Sequence, residues 1–600
     1  MTFLMRAIRA LDNKARIYAL ASVTLLLPPS AALAQNIRDV VPDLYRQKVG
    51  TSQPFRAQAH SKPIEPAGAP TLITKQLRAL VFLQPDNVAN STKSDRTGIT
   101  VDPGLDPLDD QFRKEMVKYL DHPLITSQIA SISQEVARAY RRADRPLVDA
   151  IPIEQDVSDG IIKFAVVEFK AGELNVTGNR WFSTSAIKSA FRTKPNQQIK
   201  SSIIAEDLAI INENPFRSVE AIYSRSQQPE KTDITLNVYD KRPVRVYAGI
   251  DDAGVPSLGV NRVFTGISFG DLFQAGHQFT YQFLSSTNFL SDDNQNLTPP
   301  RPGPRLAVHT LSYVMPLLNR DRIDFSALYA TSNPRIVAPF TQRGINGQIS
   351  VRYVHRLRRT ESFGQELRFG YDFKRSNNNL TFGGVNVSAN YTEIHQLVTE
   401  YAATLTDPKG STSATLIGVL SPGGIDQANS QASFEKVRPG ARSRYSYTQL
   451  QIERNFRLGS GGALIIRGTG QIASGPLLPS EQLGLGGANS VRGFDTFAAL
   501  GDEGWIFGTE LRFPTINIAK IGTNSVRIQP LIFIDAGHTY SKRMIDPIHS
   551  DVGLASTGIG IRFNLGPYLN ANLDYAGQIT DAPSGRPKAG RAHFSLVASW

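Results

Sequence analysis

From Arg242 to the last residue, apolar and polar positions alternate with period two, and turn residues punctuate the runs often. The clearest run is Gln365 to Lys374, where Leu367, Phe369, Tyr371 and Phe373 interleave with Glu366, Arg368, Gly370, Asp372 and Lys374. Phe279, Tyr281 and Phe283 alternate with Gln278, Thr280 and Gln282 in the same way. Period two means a strand whose successive side chains point to opposite faces, here one apolar and one wet. Sixteen candidate strands of this kind run from Val244 to Trp600. In hydrocarbon an open sheet edge would leave backbone groups unpaired at several kcal/mol each, so strands that cross a bilayer must close into a barrel. An even number of antiparallel strands returns both ends of the barrel to one side of the membrane.

Before Arg242 the period changes. Residues 72–170 predict a small mixed domain: a strand near Leu77 to Leu83, a helix from Ile125 to Arg142 with Ile129, Ile132, Val136 and Tyr140 on one face, and strands at Asp149 to Ile153 and Ile161 to Glu168. Gln84 to Pro107 is polar and predicts a loop. Residues 171–241 repeat the logic, from Leu174-Asn175-Val176 through helical stretches around Ile187 and Phe191 and from Ile203 to Ile211, to strands at Val219 to Tyr223 and Thr232 to Val238.

The first 34 residues carry Arg6, Arg9, Lys14 and Arg16, then the apolar run Ile17 to Leu27, then Ala32-Leu33-Ala34. That order predicts a secretory signal peptide over 1–34, since the apolar run is too short to span a bilayer and ends on small residues. In 35–71, Ile37, Val40, Val41 and Leu44 recur at helical spacing, and Pro54, Pro63, Pro66 and Pro70 follow, which predicts a short amphipathic helix on a flexible tether. No later stretch has the roughly eighteen uninterrupted apolar residues of a transmembrane helix.

Composition narrows the function classes. A chain of 600 residues is long enough for several domains. Its net charge of +12 is spread along the length, with no zinc, helix-turn-helix or RNA-binding motif beside it, so no nucleic-acid partner is expected. Cysteine is absent, which removes disulfides, thiolate metal sites and cysteine nucleophiles together. There is no His-Glu-x-x-His, no phosphate loop and no nucleophile elbow, and Gly468 to Ala473 fits a dinucleotide fingerprint only within a strand that opens no helix. No enzyme activity, cofactor or metal is expected, and the nine histidines form no metal-ligand cluster by spacing.

One loop stands apart. Gly486 to Phe494 places Arg492 in a glycine-rich stretch between the strand at Gly462 to Ile472 and the next, marked by Trp505, Phe507, Leu511 and Phe513. At roughly thirty residues the connection far exceeds an ordinary hairpin, which argues for a functional or inward-folded loop. An arginine between glycines is commonly a solvated cation, but two acids lack partners. Asp535 ends the apolar strand Leu531 to Gly537 on the face opposite Ile532 and Ile534, and Glu510 alternates to the side opposite Trp505, Phe507 and Leu511. A guanidinium can satisfy carboxylate oxygens in pairs, which lysine cannot.

Val491-Arg492-Gly493-Phe494, then Gly504-Trp505, Glu510-Leu511, and Phe533, Asp535 and Gly537 in the pattern Phe-x-Asp-x-Gly, resemble the superfamily that joins POTRA domains to a sixteen-stranded outer-membrane barrel. The branch most resembled is the TpsB family of two-partner secretion transporters, of the haemolysin secretion/activation type. Ile153-Glu154-Gln155 with Asp159-Gly160, and Val176-Thr177-Gly178-Asn179 with Asn214-Pro215-Phe216, sit where that family carries similar residues. The resemblance implies POTRA-like domains at 72–170 and 171–241 in the periplasm and an antiparallel barrel at 242–600 in the outer membrane of a Gram-negative bacterium. It implies a loop latch at Val491, Arg492, Gly493 and Phe494 against Asp535, Glu510, Phe533 and Gly537, a plug helix at Ile37, Val40, Val41 and Leu44, and an assembly signal ending on Trp600. The implied partners are a secreted exoprotein of adhesin, haemolysin or toxin type, outer-membrane lipid, and the barrel-assembly machinery. Export would need no nucleotide hydrolysis. The alternatives are a barrel insertase of the same superfamily, whose POTRA count is higher, and a passive porin, which needs neither the paired domains nor the loop.

Overall fold

The computed structural model describes residues 71–88, 97–290, 303–317, 320–336, 340–357, 359–360, 362–382, 385–542, 551–583 and 587–600. The signal peptide and the helix of Ile37, Val40, Val41 and Leu44 lie outside the described residues. The chain divides into two compact units, one ending at Arg242 and the other beginning at Pro243.

The N-terminal unit holds two α/β domains of POTRA-like type. In the first, β1 (Leu72–Thr74) pairs with β4 (Leu124–Ile125), while β2 (Ala79–Leu83), β3 (Gly98–Val101), β5 (Val148–Pro152) and β6 (Ile161–Glu168) form a sheet in the order β3-β2-β6-β5. Helices α1 (Asp110–Met116) and α2 (Thr126–Arg142) pack Phe112, Met116, Ile132, Val136 and Tyr140 against Leu80, Phe82, Ile162 and Phe164. Two features depart from the sequence reading. The stretch Gln84 to Pro107 contains β3, which runs parallel to β2 and half-buries Ile99 and Val101; four residues are too short a run for periodicity to reveal. Helix α1 was also unread, although Asp109 caps it by accepting from the Phe112 N–H at 2.9 Å.

The second domain is a three-stranded sheet, with β9 (Lys231–Asp240) between β7 (Lys170–Thr177) and β8 (Arg217–Arg225). Helices α3 (Thr184–Ala190) and α4 (Ser201–Ile211) cover one face and bury Ile187, Ile204, Leu208 and Ile211 on Val219, Leu236 and Val238. Phe191 caps the end of α3 and is fully buried.

The second unit is a closed antiparallel barrel. Its first strands are β10 (Val244–Asp251), β11 (Arg262–Leu272), β12 (His277–Ser286), β13 (Leu306–Pro316), β14 (Arg322–Ser332) and β15 (Phe340–Arg356). Next come β16 (Phe363–Phe382), β17 (Val385–Asp407), β18 (Gly410–Ser421), β19 (Tyr445–Arg457) and β20 (Ala463–Ala473). After the long loop, which contains β21 (Leu483–Leu485) and β22 (Ala499–Gly501), follow β23 (Glu503–Arg512), β24 (Ile516–Ile521), β25 (Asn524–Tyr540), β26 (Asp551–Leu565), β27 (Leu569–Gln578) and β28 (Gly590–Ser599). Both β23 and β24 pair with β25, so they are two halves of one strand and the barrel has sixteen. The break falls at Phe513-Pro514-Thr515, where a proline has no N–H to give the ladder.

Closure joins β28 to β10, with Tyr247 opposite Ser599, and the Val246 and Trp600 backbones exchange hydrogen bonds of 3.1 and 2.8 Å. The two faces are inverted relative to a soluble sheet. On β16, Glu366, Asp372 and Lys374 are buried inside, while Phe369 and Tyr371 face out and are exposed. One rim carries short turns and both barrel ends; the other carries the long loops, among them the one between β20 and β23.

Candidate functional site

The loop from Ser474 to Asp502 turns back into the barrel. Its Arg492 is 2% exposed and is among the largest fully buried side chains of the described residues. Its Nε and Nη2 donate to the two Asp535 oxygens at 2.6 and 2.9 Å, and its backbone N–H also reaches Asp535 at 3.3 Å. Nη1 donates to Glu510 Oε1 at 2.9 Å and to Asp574 Oδ2 at 3.4 Å. The guanidinium carbon lies 3.4 Å from the centroid of the Phe533 ring, so the cation is also stacked on an aromatic face. A planar fork with five donors meets carboxylates in three directions, a geometry a lysine ammonium cannot match.

Three acids around one cation would leave excess negative charge, and the barrel wall compensates. Arg467 and Arg512 reach Glu510 at 2.7 and 2.8 Å, and Arg562 reaches Asp574 at 2.6 Å. Asp535 sits mid-strand: β25 continues to Tyr540, beyond the end expected from the apolar run, because the pattern of Ala536 to Tyr540 mixes small and polar residues and hides the continuation. Asp574, on β27, is a third acid that sequence reading missed. It sits in an unremarkable alternation between Leu573 and Tyr575, and only the pairing of β25, β26 and β27 brings it within reach.

The backbone around the arginine is held as well. Gly493 has φ +90°, its N–H donates to His593 Nε2 at 3.0 Å and its carbonyl accepts from Gln578 at 2.6 Å. Since that N–H occupies Nε2, the His593 proton lies on Nδ1 and is donated to Asp252 at 2.9 Å. Val491 and Phe494 are fully buried against Leu485, Ala499 and Leu554. Gly537 leaves room for this packing: a Cβ there would fall 2.7 Å from Leu485 Cδ2 and 3.3 Å from Val491 Cγ2.

The loop is also held on the other arc of the wall by a group of opposite sign. Glu481 is buried and accepts from Lys374 Nζ at 2.7 Å, Gln396 at 2.7 Å, Tyr447 at 3.1 Å and Ser480 at 3.0 Å. At the loop's exit, Asp502 accepts from Arg438 Nη2 at 2.9 Å, just past helix α5 (Gln431–Val437), and from the Lys542 and Leu477 N–H groups at 2.7 and 2.8 Å. Sequence reading missed Glu481 and Asp502. The signal at Glu481 was an acid set among Leu477, Leu478, Leu483 and Leu485, which only burial could explain; Asp502, between Gly501 and Glu503, carried none.

Trp600 is exposed on the outer face, and its backbone bonds that of Val246 at the closure. Among the described residues one mixed group, Glu393, His395 and Asp426, brings its ligand-type atoms within 4.8 Å of one another. Asp426 lies on a distant loop, so spacing along the chain did not show it. His395 is satisfied there by hydrogen bonds, between Nε2 and Asp426 at 3.1 Å and between Nδ1 and the Tyr371 hydroxyl.

Residues 230–563 match the family of the haemolysin secretion/activation protein ShlB/FhaC/HecB. The chain belongs to this haemolysin secretion/activation family. The heme/hemopexin transporter protein HuxB of Haemophilus influenzae strain 86-028NP is 20% identical over 489 residues, spanning 76% of this chain and 78% of its own. HuxB of strain Rd is 20% identical over 486 residues, 75% and 77% of the two chains. The fold is that of CdiB from Escherichia coli, with a TM-score of 0.68 at 14% identity over 95% of each chain, and of CdiB from Acinetobacter baumannii, with 0.60 at 15% identity over 93% of this chain and 95% of that one. As a haemolysin secretion/activation family member of TpsB type, the chain is a two-partner secretion transporter, its barrel in the outer membrane and its POTRA-like domains in the periplasm.

Proposed function

We propose that the Arg492 loop is the latch of this secretion pore. The observation that carries the reading is a cation buried to 2% exposure inside a membrane barrel, bonded in parallel to Asp535 and also to Glu510 and Asp574. Removing one partner of a buried pair costs about 3 to 5 kcal/mol, whereas the barrel's own ladder does not depend on the loop. The latch therefore loosens without unfolding the wall.

The exported exoprotein, an adhesin, haemolysin or toxin, arrives unfolded in the periplasm. The sheet order leaves β8 at an edge of the second domain, and an edge strand accepts an extended chain by backbone bonds that do not read its sequence. The client then enters the lumen and folds outside, with no nucleotide hydrolysis; folding at the surface supplies the direction. Lipid on the outer face and the barrel-assembly machinery, reading the strand that ends at Trp600, complete the partner set. The plug role of Ile37, Val40, Val41 and Leu44 belongs to the same proposal.

The test is Arg492→Ala in cells that carry the exoprotein. The expected result is lost export with an inserted, heat-modifiable barrel at the normal level. Unchanged export would remove the latch.

A further inference from the structure

The Gly493 turn, which carries Arg492 to the wall, hangs on an imidazole. Its N–H donates to His593 Nε2 at 3.0 Å, and the other ring nitrogen meets Asp252 at 2.9 Å. Asp252 directly follows β10 and is tied to β28 twice more. Its backbone N–H donates to the Phe594 carbonyl at 3.2 Å, and its Oδ1 accepts from the Phe594 N–H at 2.9 Å. The carboxylate is therefore held by β28, and it holds the ring with Nε2 toward Gly493.

Charged groups stand around the ring on each element beside it. Asp252 has Arg591 of β28 at 3.9 Å, and Arg591 also pairs with Asp495 of the loop. Asp574 of β27 lies opposite His593 in register, and its charge is met by Arg562 at 2.6 Å and Arg492 at 3.4 Å. Asp251, the last residue of β10, is held by Arg262 at 2.8 Å. Each of these carboxylates has a cation of its own, so none demands a charged imidazole. His593 itself is buried, but the group leads to water, because the Arg591 and Asp495 side chains are 21% and 39% exposed.

A neutral imidazole has one free lone pair, and here Gly493 uses it. Protonation puts an N–H on both ring nitrogens, so two donors would face each other across 3.0 Å and the bond would become a repulsion. Seating of the turn and protonation of the ring therefore exclude one another. We infer that His593, oriented by Asp252, is a positioning residue for the latch and that acid releases the turn it holds, an inference that rests on the Arg492 loop being the latch. The released turn takes up a proton that the seated one excludes, so seating is favoured at high pH and weakened as pH falls. An imidazole is the side chain suited to change charge between about pH 8 and pH 5, which sets the window.

The test counts open-channel events of the purified full chain in planar bilayers at the two ends of that window. The parent is expected to open several-fold more often at the acid end. His593→Gln brings an amide oxygen near the place of Nε2, an acceptor that takes no proton, and is expected to lose the pH dependence. His593→Ala, with no acceptor, is expected to open at the alkaline end as often as the parent does in acid. Arg492→Ala, recorded at the alkaline end, separates this inference from the latch itself. Frequent opening of Arg492→Ala beside a parent record that is flat in pH, or beside an equal acid response in His593→Gln, would overturn the role of His593 and leave the latch standing. An Arg492→Ala record like the parent's would overturn the latch, and the role of His593 with it.

Discussion

At the residue scale, Arg492 and Gly493 divide the work of holding the loop: the side chain bonds the wall and the glycine lets the backbone turn beneath it. The φ of +90° at Gly493 lies in the left-handed region, where an L side chain costs roughly 1–2 kcal/mol. A Cβ there would also stand 3.1 Å from Ala576 Cβ. Gly493→Val is therefore expected to expose the loop to external protease while the barrel itself resists digestion; equal protection of variant and parent would argue against a tightly seated turn. What could be read of these residues from the chain alone was their face. Alternation settles which side of a strand an acid takes, and so placed Asp535 and Glu510 inward, but it is blind to distance around a closed wall. Asp574 and Arg562, one strand or more further round, had no local mark.

At the element scale, the loop is held at both limbs by charges of opposite sign, Glu481 on β16, β17 and β19 and Arg492 on β23, β25 and β27. Glu481→Gln keeps the shape and removes the charge facing Lys374. That variant is expected to raise the frequency of open-channel events in planar bilayers, with Arg492 still seated; an unchanged record would mean that the entering limb plays no part in keeping the pore shut. Loop length alone signalled an inward or functional connection. Its second anchor was illegible because Glu481 and its partners Gln396 and Lys374 stand 85 and 107 residues apart in sequence. Strand β3 was hidden for a simpler reason, four residues being too few to establish a period.

At the scale of the molecule, the barrel was the most legible part, since an apolar-out, polar-in pattern over sixteen strands leaves few other folds. The split strand β23–β24 keeps one partner, β25, although the register slips by one residue across Pro514, from Arg512 opposite Leu531 to Ile516 opposite Ile528. The seam is thinner: Trp600 joins it through two backbone hydrogen bonds to Val246. Deleting Trp600 is expected to lower the fraction of chain recovered as a heat-modifiable barrel in the outer membrane, and a full yield would remove any assembly role for the terminus.

The central claim, that a buried guanidinium fastened to the wall governs export, is tested most directly by a double-mutant cycle on export rate, with Arg492→Ala, Asp535→Ala and the pair compared at equal levels of inserted barrel. Each single variant is expected to cut export by about tenfold or more, and the pair to be no worse than the weaker single, because the two residues act as one contact. Export at the parent rate in either single variant, or losses that simply multiply in the pair, would contradict it.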